Sequence, residues 1–120
     1  MENPEDIVVR TFRFAGRIVR LCRELDQTAG TPRTLANQML RSGTSVGANV
    51  EEAQAGQSKK DCTAKMYISC KEARETNYWL RLLADTGILP PSRLTGLIDE
   101  SNQLVAILTT IVKNSRLNSE

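Results

Sequence analysis

Apolar and small residues recur at alternating steps of three and four through most of this chain, and glycine or proline breaks the recurrence at three places. The last stretch shows it plainly, with Leu94, Leu97, Ser101, Leu104, Leu108 and Ile111. Such steps keep one stripe of a helix against neighbours packed nearly parallel to it. The same steps run through Leu35, Met39, Ser42, Val46, Asn49 and Ala53, and again through Cys62, Met66, Ser69, Ala73, Thr76, Leu80 and Leu83. Ahead of them Ile7, Phe14, Ile18, Leu21, Cys22 and Leu25 fall on one side of a helix. Helices are therefore expected over about 5–27, 32–55, 59–86 and 91–114. Each spans ~35 Å at 1.5 Å per residue.

The breaks carry their own chemistry. Gly30 can close the first helix in a left-handed conformation, and Thr31-Pro32 supplies a capping hydroxyl with a proline suited to a first turn. Gly56 stops the second helix, and Ser58-Lys59-Lys60-Asp61 reads as a capping box with aspartate in the acidic place. Gly87 and Pro90-Pro91 end the third. Connections this short make sequential helices antiparallel neighbours, and 120 residues suffice for one core. The expected fold is all-α: an up-down-up-down antiparallel four-helix bundle, one domain over residues 1–120.

The run from Arg41 to Ala53, RSGTSVGANVEEA, places thin side chains mid-helix. Ser42, Asn49 and Ala53 take seam positions, with Ser45 and Glu52 beside them, and Ser69, Cys70, Ala73 and Thr76 answer from the third helix. Small against small lets two helix axes approach closely. Gly43 and Gly47 each cost about 1 kcal/mol of helix propensity relative to alanine, which closer packing or a neighbouring chain would offset. Ser42, Ser45, Asn49 and Glu52 are expected as a buried polar group that fixes helix register, bonded to one another, to Thr76 or Asn77, or to backbone carbonyls. The competing reading makes Glu52 a ligand or an acid–base group.

Several function classes find no support. The chain has no histidine, and its three cysteines form no CxxC pair. A disulfide framework is not expected, nor is a zinc site, which ordinarily takes four Cys or His ligands. Catalysis commonly recruits histidine, a carboxylate pair, a metal or a phosphate loop, so neither an enzyme nor a cofactor is expected. No run is apolar enough for a membrane span, and nothing at the start reads as a signal peptide, so a cytoplasmic protein is expected.

Two surfaces do not read as ordinary solvated faces. The third helix carries a second apolar stripe of Ala64, Ile68, Trp79 and Leu82, flanked by Tyr67 and Tyr78. A bundle helix needs only one apolar face, so Tyr67, Ile68, Tyr78, Trp79 and Leu82 are expected to meet another copy of the chain. On the first helix Arg10, Arg13, Arg17, Arg20 and Arg23 step by three and four within one arc. Lys71, Arg74 and Arg81 share an outer side of the third. Net charge is only +2, so position must carry any argument. Guanidinium forks match phosphate bidentately, and rows of them can follow an RNA or DNA backbone without reading bases. A solvated face bridging subunits, or a scaffold docking a partner protein, is the alternative.

Arg41-Ser42, Ser45-Val46, Asn49-Val50 and Glu52 form an R-S-x-x-S-[IV]-x-x-N-[IV]-x-E run, followed later by Lys71-Glu72-Ala73-Arg74-Glu75 and Leu80. These residues resemble the bacterial proteins encoded in intervening sequences of 23S ribosomal RNA genes, also called S23 ribosomal proteins. The likeness covers most of the chain, and Ala53 stands where many members have glycine. It implies a four-helix bundle that assembles as a homopentamer, in a family for which no catalytic activity is established. It also implies kinship with the basic, nucleic-acid-binding accessory protein of diversity-generating retroelements.

Overall fold

The computed structural model describes residues 4–119, with side chains from 7 to 118. It contains four helices, α1 (Pro4–Leu25), α2 (Thr31–Gln54), α3 (Lys59–Asp85) and α4 (Pro91–Ser119), and no strand among the described residues. Gly30 and Gly87 both take positive φ, at 94° and 74°, where a side chain would be strained. The α2 start differs from expectation. Gly30 is the N-cap, no side chain caps it, and Thr31 already lies inside the helix. At α3 the Ser58 hydroxyl accepts a 3.1 Å hydrogen bond from the Asp61 amide, the forward half of a capping box.

Contacts between helices fix their directions. Cys22 meets the Ala36 carbonyl and Ile18 lies against Gly43, so numbers rise on α1 as they fall on α2. Val46 pairs with Ser69, and Ser42 with Thr76. Asn77 pairs with Ser101, and Cys70 with Thr109. Arg10 meets Glu100, and Glu24 meets Arg93. All four neighbouring pairs are antiparallel, which places α1 diagonally across from α3. The fourth side is different: α1 and α4 approach each other far less closely than the other three pairs do. Guanidinium–carboxylate pairs bridge that side.

Ile7, Phe14, Ile18, Met39, Val46, Leu80, Leu83, Leu94, Leu104 and Leu108 fill the interior, all essentially inaccessible. On α2 the seam runs through Ala36, Met39, Ser42, Gly43, Val46, Gly47, Val50 and Ala53. Leu35 and Asn49, expected on it, are only half-buried. The two glycines mark the reason: both seam edges are used, one toward α3 and one toward α1. A Cβ on Gly43 would stand 2.7 Å from Ile18 Cγ2, and one on Gly47 would stand 3.1 Å from the Thr11 carbonyl oxygen. The glycines therefore serve the α1–α2 approach, while Ser42, Ser69, Ala73 and Thr76, all fully buried, serve α2–α3.

α4 runs five residues past the expected end at Asn114. No glycine or proline follows Gly96, and packing against α3 continues, with Val112 buried where Ile111 was expected and Ser115 Oγ bonded to Thr63 Oγ1. The long axis consequently reaches 48 Å. No described helix is long and apolar enough to cross a membrane.

Candidate nucleic-acid interface

The polar residues of the Arg41–Ala53 run divide by depth. Ser42 is fully buried, and its Oγ lies 2.9 Å from Thr76 Oγ1, which also lies 2.8 Å from the Glu72 carbonyl. Ser45 and Asn49 are half-buried and bond their own helix, Ser45 Oγ donating to the Arg41 carbonyl and Asn49 Nδ2 to the Ser45 carbonyl. Glu52, expected beside the core, is exposed. Three positions beyond Asn49 turns it outward, because the seam passes through Val50 and Ala53 instead. The deep polar links are Ser42–Thr76, Ser69 Oγ to the Val46 carbonyl at 2.7 Å, and Asn77 Nδ2 to Ser101 Oγ at 2.8 Å. Every buried side-chain nitrogen and oxygen among the described residues has a partner.

Arg41, the first residue of the same run, does something its spacing did not announce. Its guanidinium reaches across to α3, where Nη1 stands 3.1 Å from Glu72 and Nη2 bonds Glu75. Glu75 also accepts from Trp79 Nε1 at 3.0 Å. The Arg41 hydrogen bond, helped by that of Trp79, holds the Glu75 carboxyl below its ordinary range. The two stretches that carry the family likeness thus touch each other in space. Partners more than thirty residues apart leave no periodic signal, and only the pairing of helices brings them together.

The helix-one arginines are not equivalent. Arg10 is turned toward α4, donating to both carboxylate oxygens of Glu100, at 3.1 and 2.7 Å, and to Gln103 at 2.9 Å. An arginine clasped by a carboxylate is poorly placed to take phosphate, and the acid comes from another helix, invisible along α1. Arg17 is half-buried near Gly96 of α4. Arg13, Arg20 and Arg23 are exposed. Arg13 and Arg20 border an open groove with Val8, Val9, Phe12 and Glu51, and Arg23 borders another with Leu40 and Asp26. At the far end Arg93 grips Glu24 with both terminal guanidinium nitrogens, Nη1 and Nη2, and holds that carboxyl low.

On α3, Lys71, Arg74 and Arg81 are all exposed. Lys71 Nζ stands 5.7 Å from the Tyr67 ring centre, and the Arg81 guanidinium 5.9 Å from that of Tyr78. Arg81 also donates to Asn77 Oδ1 at 2.8 Å. Lys71 and Arg74 are joined by two residues that spacing did not reveal, Lys113 and Arg116, from the last turns of α4. Because α1 and α3 are diagonal, the two basic sets face different sides of the bundle.

The outer stripe of α3 splits in the same way. Tyr67 leans to the α4 side among cations, whereas Trp79 leans to the α2 side, half-buried, bonded to Glu75 and edge-on to Tyr78 at 5.2 Å. Tyr78 is 50% exposed and Ile68 39%, while Leu82 is half-buried. Phe12 on α1 is 71% exposed, the most uncovered aromatic among the described residues, beside Val9. The only mark of it in the sequence is that Val9 and Phe12 sit off the Ile7–Phe14–Ile18 stripe. No group of His, Cys, Asp and Glu among the described residues could hold a metal ion. Burial pushes the Cys22 thiol up to about 11, which suits a packing role.

Comparisons with known proteins agree with this architecture. No curated protein matches the chain. A crystal structure of a protein of unknown function from the S23 ribosomal protein family of Bacteroides thetaiotaomicron, at 1.70 Å resolution, is 36% identical, with a TM-score of 0.84 over 92% of this chain and 97% of that one. Residues 5–110 match the model of the 23S rRNA-intervening sequence proteins. The chain belongs to that family.

Proposed function

We propose that this protein is a nonenzymatic homo-oligomer, a pentamer, that binds RNA or DNA through phosphate contacts from its basic helix faces. One observation supports this reading above the others. Phe12 on α1 and Tyr78 on α3 are large aromatics uncovered on diagonal helices, and each is rimmed by arginine, Phe12 by Arg13 and Arg20, Tyr78 by Arg81. Apolar groups left open in clusters usually meet another chain. Two different patches on opposite sides suit head-to-tail contact, which closes into a ring when the rotation allows. The family likeness implies five copies, and a ring repeats every cation with its symmetry, multiplying a field that one chain supplies weakly.

Native mass spectrometry of protein purified from its host reports subunit number and bound nucleic acid together. Oligomers carrying RNA or DNA are expected. A monomer of 13.3 kDa at micromolar concentration would sink the assembly. For the nucleic-acid part, binding of structured RNA should weaken steeply as salt rises and should fall in the Arg13→Ala/Arg17→Ala/Arg20→Ala variant.

A protein-docking scaffold is the second reading, favoured by the carboxylates among the α1 cations. Glu100 clasps Arg10, and Glu51 lines the groove of Arg13 and Arg20. It predicts no nucleic-acid affinity near physiological salt.

A further inference from the structure

Among the grooves, those on the α1 side mix charges: one includes Glu51 and another Asp26. The seam between the first half of α3 and the last half of α4 does not. A recess there of about 280 Å³ is bounded by Lys71 and Arg74 on one wall and Lys113 and Arg116 on the other. No acidic side chain lines it. Residues 101–119 of α4 contain no Asp or Glu, and neither do residues 62–71 of α3. Four cations therefore converge with no carboxylate between them, at a mutual repulsion that a bound anion would relieve.

Two of the cations are also held in place. Lys71 Nζ and the Arg116 guanidinium both stand over the Tyr67 ring, at 5.7 and 5.1 Å from its centre. Ring–cation attraction restrains long side chains that would otherwise sample many rotamers, so less entropy is lost when they close on an anion. Arg116 continues into a wider, open depression bordered by Lys59 and Lys60 at the start of α3, again with no acid in its lining. The basic track thus follows α3 from Lys59 to Arg74, ~22 Å at 1.5 Å per residue.

We propose that this α3–α4 recess is a phosphate-binding site for a nucleotide, with Lys71, Arg74, Lys113 and Arg116 as its anion contacts and Lys59 and Lys60 receiving phosphates that extend beyond it. Its nucleic-acid form rests on the function proposed above; its free-nucleotide form does not. The recess lies near the lower end of the size range of small-ligand pockets, which suits one nucleotide unit. That unit can be free or part of a strand.

Full-length protein is tested by fluorescence polarisation with a labelled single-stranded oligouridylate, and by calorimetry with ATP and with inorganic phosphate. Two variants, Lys113→Ala/Arg116→Ala on α4 and Lys71→Gln/Arg74→Gln on α3, remove opposite walls, and the second serves where the first fails to fold. All four residues are exposed. Wild-type protein is expected to bind the oligonucleotide. Each lost phosphate contact should cut the slope of log affinity against log salt by about 0.7 for a single strand, and either wall variant should lose more of the binding than Arg13→Ala/Arg17→Ala/Arg20→Ala does. Binding of ATP or phosphate but not of the strand, lost in the wall variants, upholds the recess and removes the nucleic-acid reading. Strand binding that both wall variants retain overturns the recess and leaves that reading standing. No binding of any probe overturns the proposal.

Discussion

At the scale of single residues, the absence of a side chain is as informative as its presence. Gly43 faces Ile18, a β-branched residue with no exposure, whose Cγ2 is fixed to a stiff Cβ and cannot swing aside. Gly43→Ala recovers about 1 kcal/mol of helix propensity but overpacks a contact where added methyl groups cost about 1–3 kcal/mol. A net loss of up to ~2 kcal/mol is expected, read from the shift of the urea midpoint at unchanged slope. Ile18→Ala alone should cost about 2–5 kcal/mol. The double variant should cost less than the sum, because each change accommodates the other. A more stable Gly43→Ala protein would show that α1 and α2 have room to spare. The seam glycines were visible in the sequence, and a demand for close approach was legible from them. Which neighbour demanded it was not, because a helix offers two flanks and its own spacing does not say which helix lies on either.

Between elements, the outer edge of α2–α3 is fastened by Arg41, Glu72, Glu75 and Trp79. The Glu75 carboxyl is held low in the folded protein, chiefly by Arg41. Its contribution is therefore fully present above the ordinary glutamate range and is lost as pH falls from that range through the lowered folded value. Exposed pairs of this kind contribute roughly 0.2–1 kcal/mol. Thermal unfolding followed from neutral pH downward should show a declining midpoint, and Arg41→Gln should flatten part of that decline. An unchanged pH profile in the variant would remove the fastening role. Four helices with their breaks at Gly30, Gly56, Gly87 and Pro90 were readable because propensity, capping and periodicity agreed. The site was less so. Arg10 looked equivalent to Arg13 until Glu100 arrived from α4, and Lys113 and Arg116 joined Lys71 only through the antiparallel pairing of α3 with α4. Charge neutralisation and charge convergence are properties of helix pairs, and no single helix displays them.

For the molecule as a whole, the two uncovered patches make a mixing experiment decisive. If Phe12 of one copy meets the Ile68–Tyr78 region of the next, Phe12→Glu and Ile68→Glu should each abolish higher assembly. Each variant keeps one intact patch. An equimolar mixture should therefore form a one-to-one dimer in light scattering, where neither alone does. A mixture that stays monomeric while wild type assembles would rule out this head-to-tail arrangement. The four sides of the bundle are also unequal. Three are closed by buried contacts through small residues, whereas α1 and α4 stand further apart, with Arg10–Glu100 and Arg93–Glu24 across the gap. The α2–α3 hairpin is the spine of a book whose covers share the core and are clasped at their outer edge by charge. Dissolved salt weakens the exposed Arg93–Glu24 clasp more than the half-buried Arg10–Glu100 one and spares the hydroxyl and aliphatic contacts of the other sides, so rising ionic strength should loosen this book first at its α1–α4 edge, from the Arg93 end.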